Sequence, residues 1–282
     1  MLSAICYASG IEAVTNTQLG TDNIVYKSKM ANGKQRVSAM NYTYDIAEGN
    51  IDGHTAWSKI GFTAAMTTAE SDVWSKGGTY VFPVVSTQMA VVSSSANDTA
   101  AGTGVQSVMI HYLDDQWNEQ STIVTLNGVA YSTTTPTNIY RINDFHVQQA
   151  GSGAKAAGNI SLVDRSTKAI TYGYITAGFT HARNSVYTVP AGKVLYITGG
   201  VMGFGYAANQ THYARMYFRA TQHDGVRIDN VFFPFIDVIE ANGTSALPDS
   251  FPAVFYEKVD IKISGISTVT GTATSYLEGW LE

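Results

Sequence analysis

The 282-residue chain has one cysteine, Cys6. A single thiol can neither close an intrachain disulfide nor build a multi-cysteine metal site, so Cys6 reads as a bystander. Charge is also scarce. Charged residues make up 14% of the chain, against about a quarter in an average soluble protein. The net charge is −5 and Lys plus Arg number 17, with no basic run. Nucleic-acid affinity depends on cations that neutralise phosphates, so no nucleic-acid partner is expected. No apolar stretch approaches the ~20 residues of a membrane helix, so no membrane partner is expected either. Met1-Leu2-Ser3-Ala4-Ile5-Cys6 lacks the basic start and long apolar core of a secretion signal. The Asn-x-Ser/Thr triplets at Asn41, Asn97, Asn159, Asn209 and Asn242 then read as chance matches in a Thr-rich chain. Helical periodicity is nearly missing. Asp52 to Ser75 holds Trp57, Ile60, Phe62, Met66 and Trp74, but Gly53, Gly61 and several threonines break the period. One helical turn near Thr67–Asp72, capped by Thr68, is the most this segment predicts.

What the chain does have is strand grammar. Apolar residues reach 45%, enough for a substantial core. The polar remainder is rich in Ser, Thr, Asn, Gln and Gly, which suits extended contact with other subunits. Tyr80–Val85, Gln88–Val92, Gln106–Leu113, Ser121–Leu126, Ile139–Gln148, Asn159–Val163 and Ala169–Thr176 form a first series of predicted strands. Val194–Thr198, Tyr213–Arg219, Val226–Phe233, Val259–Ser264 and Thr272–Leu281 form a second. Val108, Ile110 and Tyr112 share one face; Ile123 and Val124 take opposite faces. Val259, Ile261 and Ile263 alternate with Asp260, Lys262 and Ser264, the pattern of a strand apolar inside and polar outside. Two strands face each other across the polar turn Asp114-Asp115-Gln116-Trp117-Asn118, and Asn127-Gly128 is a strong turn pair because both residues tolerate positive φ.

The predicted class is therefore all-β: an antiparallel β-sandwich or jelly roll with an extended, weakly structured N-terminal arm. Residues 1–76 read as that arm or an irregular layer. Residues 77–188 carry the first strand series and 189–282 the second. Whether the two series are two sandwiches or halves of one stays open.

No motif commits the chain to catalysis. Gly151-Ser152-Gly153-Ala154-Lys155-Ala156 approaches a dinucleotide-binding glycine motif. That motif needs a helix to start there, and Gly158-Asn159 and a strand follow instead, so a hairpin loop is the better reading. Pro190-Ala191-Gly192-Lys193 is followed by Val194, where a phosphate loop needs Ser or Thr, and reads as a turn into a strand. No Gly-x-Ser-x-Gly elbow is present. His54, His111, His146, His181, His212 and His223 are scattered, with no pair at helical or strand metal-ligand spacing. His111 with Asp114 and Asp115, or His223 with Asp224, are the two groupings that sequence proximity offers for metal or acid–base chemistry. The bland reading is stronger for both, since Asp in a hairpin turn is favoured for backbone hydrogen bonding alone. No catalytic, cofactor-binding or metal residue is assigned on this basis, and no enzyme activity is expected. The aromatics, including 17 tyrosines, read first as cross-strand packing and second as interface or sugar-stacking residues. Trp117, in a polar turn, is the one that stands out.

Between Ser75 and Lys193 the order of features resembles structural proteins of tailed-bacteriophage virions. The matching stretches are Ser75-Lys76-Gly77-Gly78-Thr79-Tyr80, the loop from Val92 to Gly104, and Thr125-Leu126-Asn127-Gly128. Arg141-Ile142, Ala150-Gly151-Ser152, Gly158-Asn159-Ile160 and Tyr187 to Lys193 continue the series. The resemblance implies a β-sandwich protein of the virion, made in the host cytoplasm and similar to the decoration or cement proteins of the phage head surface. It implies the major capsid protein as partner, self-association as a homotrimer, no cofactor and no catalytic residues. The alternative it leaves is a tail-fibre or baseplate component binding a host-surface glycan. If the N-terminal arm makes the attachment, deleting residues 1–40 abolishes capsid binding and leaves the sandwich folded.

Overall fold

A computed structural model describes residues 42–207, 212–221, 231–247 and 253–282, with three strands between residues 17 and 37. The chain divides into two compact units, Met1–Thr55 and Ala56–Glu282. In the first, β1 (Thr17–Leu19), β2 (Val25–Ala31) and β3 (Lys34–Val37) form an antiparallel sheet in that order. A short helix, α1 (Tyr42–Ala47), follows. The Tyr42 hydroxyl lies 2.8 Å from His54 Nε2. This helix was not expected, and the helical turn expected near Thr67–Asp72 is absent; β5 (Ser71–Asp72) stands there instead. Cys6 and Asn41 lie outside the described residues.

The second unit holds two separate apolar cores, each between two antiparallel sheets. One sandwich is built from β6 (Met89–Ser93), β7 (Val105–Leu113), β8 (Glu119–Thr125), β9 (Ser132–Thr133), β10 (Arg141–Ala150), β11 (Ile160–Asp164) and β12 (Thr171–Ile175). Its sheets run β10-β7-β8 and β12-β11-β6-β9. Val91, Val108, Ile110, Phe145, Ile160 and Leu162 fill the space between them. The alternation legible in the sequence is what buries them: Val108 and Ile110 face in, and Val124 is buried while its neighbour Ile123 is exposed.

The other sandwich pairs a sheet β13-β19-β15-β16, with β5 beside β19, against a sheet β17-β14-β20-β4, with β18 beside β14. These are β4 (Thr55–Met66), β13 (Tyr187–Thr188), β14 (Leu195–Gly205), β15 (Ala214–Thr221), β16 (Phe232–Glu240), β17 (Gly243–Leu247), β18 (Ala253–Phe255), β19 (Asp260–Ser267) and β20 (Gly271–Leu281). Its core includes Trp57, Met202, Phe204, Met216, Phe218 and Ile263. The antiparallel all-β sandwich class predicted from sequence is thus the observed one, and there are two sandwiches. The chain path explains why a linear division misses their composition. β4 and β5, from the stretch assigned to the arm, join a sandwich otherwise built after residue 186, and the first sandwich lies in sequence between β5 and β13.

β4 escaped notice for a packing reason. Its inward positions include Gly61 and Thr63 as well as Trp57 and Met66, so no apolar alternation is visible. A Cβ at Gly61 would lie 2.5 Å from Ser275 Oγ and 2.7 Å from Val73 O; the strand packs too closely there for a side chain. Tyr80–Val85 is not a strand. Tyr80 and Phe82 instead stack edge-on with each other, and with Trp74 and Val186 they make a third, small cluster. Of the predicted strand Val226–Phe233, residues 226–230 lie outside the described residues, and β16 begins only at Phe232.

The β11–β12 turn shows how a side chain closes a hairpin here. Asp164 Oδ2 accepts from the Thr167 amide (2.7 Å), the Thr167 hydroxyl (2.7 Å) and the Ser166 hydroxyl (2.9 Å). Burial pushes the Asp164 carboxyl up, but these donors outweigh it and hold the pKa down at about 2. A depressed carboxylate stabilises the fold above its unfolded pKa of about 3.9, and that contribution disappears as pH falls through the folded value. Asp164→Ala is expected to cost about 2 kcal/mol at pH 7. In urea titrations the difference from the parent should shrink towards zero near pH 2.

Candidate functional site

Two surface features of the second unit go beyond core packing. The first is a histidine–aspartate cluster on the outer face of the first sandwich. His111 on β7 lies directly across from Asp144 on β10, so both project from one face of the sheet. His146, two residues along β10, shares that face. On the far side of β10 the chain returns alongside: Val147 N–H donates to Thr180 O, Ala182 N–H donates to Phe145 O, and His146 bridges His181. Three adjacent chain segments therefore deliver three imidazoles and one carboxylate to one spot.

The contacts are close. Asp144 Oδ2 lies 2.6 Å from His146 Nδ1, and Asp144 Oδ1 lies 2.5 Å from His181 Nε2. The His111 and His146 rings stack with centroids 5.4 Å apart, and those of His146 and His181 are 5.6 Å apart. Lys59 of β4 approaches from below and donates to the carbonyl of Asn143. Burial pushes the Asp144 carboxyl up, but the His181 hydrogen bond, the Lys59 charge and the His146 hydrogen bond hold it well below the usual carboxylate range. Burial depresses the Lys59 ammonium, against the pull of Asp144.

Sequence proximity had grouped His111 with Asp114 and Asp115. The structure separates those roles. Asp114 Oδ1 accepts from the Gln116 and Asn118 amides, 2.9 Å each, and serves the β7–β8 turn. His111 meets Asp144 and His146 instead, across a strand pair whose register includes a bulge between Ile142 and Asp144. The i,i+2 spacing of Asp144 and His146 is the signal the sequence carries for this site; spacing between histidines alone does not show it. His223 and Asp224 lie outside the described residues. His212 packs edge-on against Tyr206.

The second feature is the open edge of the second sandwich. β16 ends its sheet, with β15 on one side and no strand on the other among the described residues. Phe233, Phe235 and Ile239 on this strand are 42%, 56% and 66% exposed. Phe235 leans on Phe218 and Phe255 at the mouth of the core. Arg215 and Asp237 form an ion pair on the outer face beside Ile239. An edge strand with free backbone groups and large exposed apolar side chains is a template for another chain.

The remaining sequence candidates are structural. Gly151 to Gly158 is a loop, as predicted, but it joins strands of different sheets and is not a hairpin. A Cβ on Gly151 would sit 2.2 Å from Gly102 O, so the glycines there answer a close backbone approach and not a phosphate. Pro190 to Lys193 is a turn with Gly192 at φ 69°. Trp117 has φ 67° and lies over the Arg141 guanidinium, 5.2 Å from it, with its ring edge against Tyr140.

No family model and no curated protein matches the chain. Two solved structures align over most of it. One, of the infectious bursal disease virus Gt strain, has 11% identity, covers 86% of this chain and 77% of its own, with a TM-score of 0.14. The other, the VP2 subviral particle of infectious bursal disease virus, has 12% identity, covers 82% and 76%, and has the same TM-score, 0.14. Scores this low establish no shared fold.

Proposed function

We propose that this chain is a structural virion protein, a capsid decoration or cement protein. It binds across neighbouring major capsid subunits as a homotrimer and stabilises the phage head. The observation that carries the reading is the apolar edge at β16, with Phe233, Phe235 and Ile239 exposed on a strand that has no neighbour on its outer side among the described residues. The sequence resemblance to virion proteins supplies the context. Its scattered matching stretches also turn out to be neighbours in space. Gly128 N–H donates to Asp98 O, Gly151 N–H to Gly104 O and Ser94 N–H to Asn159 O, so four of those loops knit into one node. A cement protein works by mass action: burying surface on the assembled lattice favours assembly, and no bond need be made or broken. The glycan-binding alternative calls for exposed aromatics in a groove; Trp117, the aromatic that stood out in the sequence, packs over Arg141 instead.

The test is the copy number of the chain in purified virions by quantitative mass spectrometry. A ratio near one to one with the major capsid protein is expected; a few to a few tens of copies moves the protein to the tail. Phe233→Asp with Ile239→Glu is expected to weaken binding to capsids at least tenfold, with unfolding in urea little changed. Full binding by this double variant would remove β16 from the interface.

A further inference from the structure

We propose that His111, Asp144 and His146 bind one divalent transition-metal ion, for which Zn²⁺ is the best fit, with His181 orienting the carboxylate. The ligand atoms of these three residues all lie within 4.8 Å of one another. A tetrahedral zinc with bonds of about 2.0–2.1 Å sets its ligands roughly 3.4 Å apart. Reaching that spacing takes about an ångström of side-chain motion: His111 is exposed and able to swing, and the Asp144–His146 hydrogen bond of 2.6 Å gives way to the ion, because a nitrogen that donates to Oδ2 cannot ligate beside it. Two imidazoles and one carboxylate are a borderline-soft nitrogen and oxygen set. It suits Zn²⁺ and its neighbours, whereas Ca²⁺ and Mg²⁺ take oxygen ligands.

The surroundings have the form of a metal site's outer shell. A ligating carboxylate is itself usually held by a hydrogen bond that fixes its orientation. Asp144 has this in His181, whose Nε2 meets Oδ1 and leaves Oδ2 turned towards His146. The backbone below pairs His111 opposite Asp144 in the ladder, next to the bulge between Ile142 and Asp144. His111 is exposed, which gives an entry path. An ion here ties β7 to β10, and through Asp144 to the segment around His181. It acts as a clip on the outer face of the first sandwich. No catalytic step is assigned to it.

The bland alternative is an Asp that merely bridges two histidines. Isothermal titration of tag-free, EDTA-stripped full-length protein with ZnCl₂ separates the two. One Zn²⁺ per chain is expected, with the same stoichiometry for CoCl₂ and the intense visible absorption of four-coordinate cobalt. His111→Ala, at an exposed position that leaves the core intact, is expected to weaken binding at least tenfold, and Asp144→Asn more. His212→Ala, far from the cluster in sequence and packed on Tyr206, is expected to leave affinity unchanged. Circular dichroism of each variant confirms folding before titration. Absence of saturable one-to-one binding by the parent protein overturns the proposal, as does undiminished binding by the folded His111→Ala variant.

Discussion

Arg141→Met is expected to destabilise the second unit by about 3–5 kcal/mol, the cost of leaving a buried charge without its partner. Arg141 is 1% exposed and Asp260 is fully buried. Nε meets Oδ1 at 3.0 Å and Nη2 meets Oδ2 at 3.2 Å, a two-point contact between β10 of the first sandwich and β19 of the second. Thr188 Oγ1 donates to the same Asp260 Oδ1 at 2.6 Å. The guanidinium also donates to the carbonyls of Pro83 and Tyr140, and the rings of Tyr140, Trp117 and Phe82 lie over it. Every polar atom of the pair thus has a partner that water cannot replace. Remove the arginine, and Asp260 must either stay charged in an apolar pocket or take up a proton.

That choice gives the prediction a pH signature. Desolvation already pushes the Asp260 carboxyl above its ordinary value, against the Arg141 charge and the Thr188 hydrogen bond. Without Arg141 the upward push is unopposed by that cation. A carboxyl with a raised folded pKa binds more protons folded than unfolded, so stability falls as pH rises through the interval above about 3.9. The Arg141→Met variant should therefore regain stability as pH is lowered from 7 towards 4. The double variant Arg141→Met, Asp260→Leu should recover much of the loss at pH 7, since replacing both ions removes the desolvation cost. Urea unfolding of the single and double variants across pH checks all three statements. A single variant as stable as the parent, or a double variant no better than the single, would sink the argument.

The same seam shows where sequence reading stopped. Alternation in Val259–Ser264 correctly marked a strand, and then placed Asp260, Lys262 and Ser264 on the solvent side. All three are buried. Asp260 is sealed by Arg141, and Lys262 lies 3.0 Å from the buried Asp72 of β5. Alternation reports the two faces of a strand, but it cannot show that Arg141 of the first sandwich covers Asp260 while Asp72 of β5 and Glu70 meet Lys262 and Ser264. The two-residue β5 offers no periodicity, so its contribution was invisible. β7 and β8 of the first sandwich were legible because Val108, Ile110, Tyr112 and Val124 are buried while Met109, His111 and Ile123 between them are not. The histidine cluster was half legible: Asp144 and His146 carry strand spacing, while His111 and His181 arrive through register and chain return, which no local pattern encodes.

The loops were legible as loops but not as a structure, and Asp98 is the reason. The segment from Ser93 to Thr99 has no apolar anchor, yet Asp98 is fully buried. Its Oδ1 accepts from the Val105 amide at 2.7 Å and the Ala157 amide at 2.9 Å. Its Oδ2 accepts from the Gly158 amide at 2.9 Å and the Ser93 hydroxyl at 2.6 Å. One carboxylate thus holds β6, the start of β7 and the loop between β10 and β11. Gly104 is part of the arrangement, because a Cβ there would lie 2.2 Å from Asp98 Oδ1. Asp98→Ala strands three backbone donors and a hydroxyl, and is expected to cost about 4 kcal/mol or more, since each bond to a charged acceptor is worth about 1.5–3 kcal/mol and losses within one node are not additive. Asp98→Asn should rescue little. Its amide oxygen can serve the Val105 and Ala157 amides, but its NH₂ then faces the Gly158 amide, donor against donor, even where the Ser93 hydroxyl turns to accept. Ser93→Ala alone should cost about 1 kcal/mol, and adding it to Asp98→Ala should cost less than that, because the acceptor of its hydroxyl is already gone and only the bond it accepts from the Ser95 amide remains to be lost. Hydrogen exchange gives the local readout: the Val105, Ala157 and Gly158 amides should lose protection together in either Asp98 variant. If Asp98→Asn unfolds at the parent's urea midpoint, the charge is dispensable and the loops are held by their backbone contacts alone.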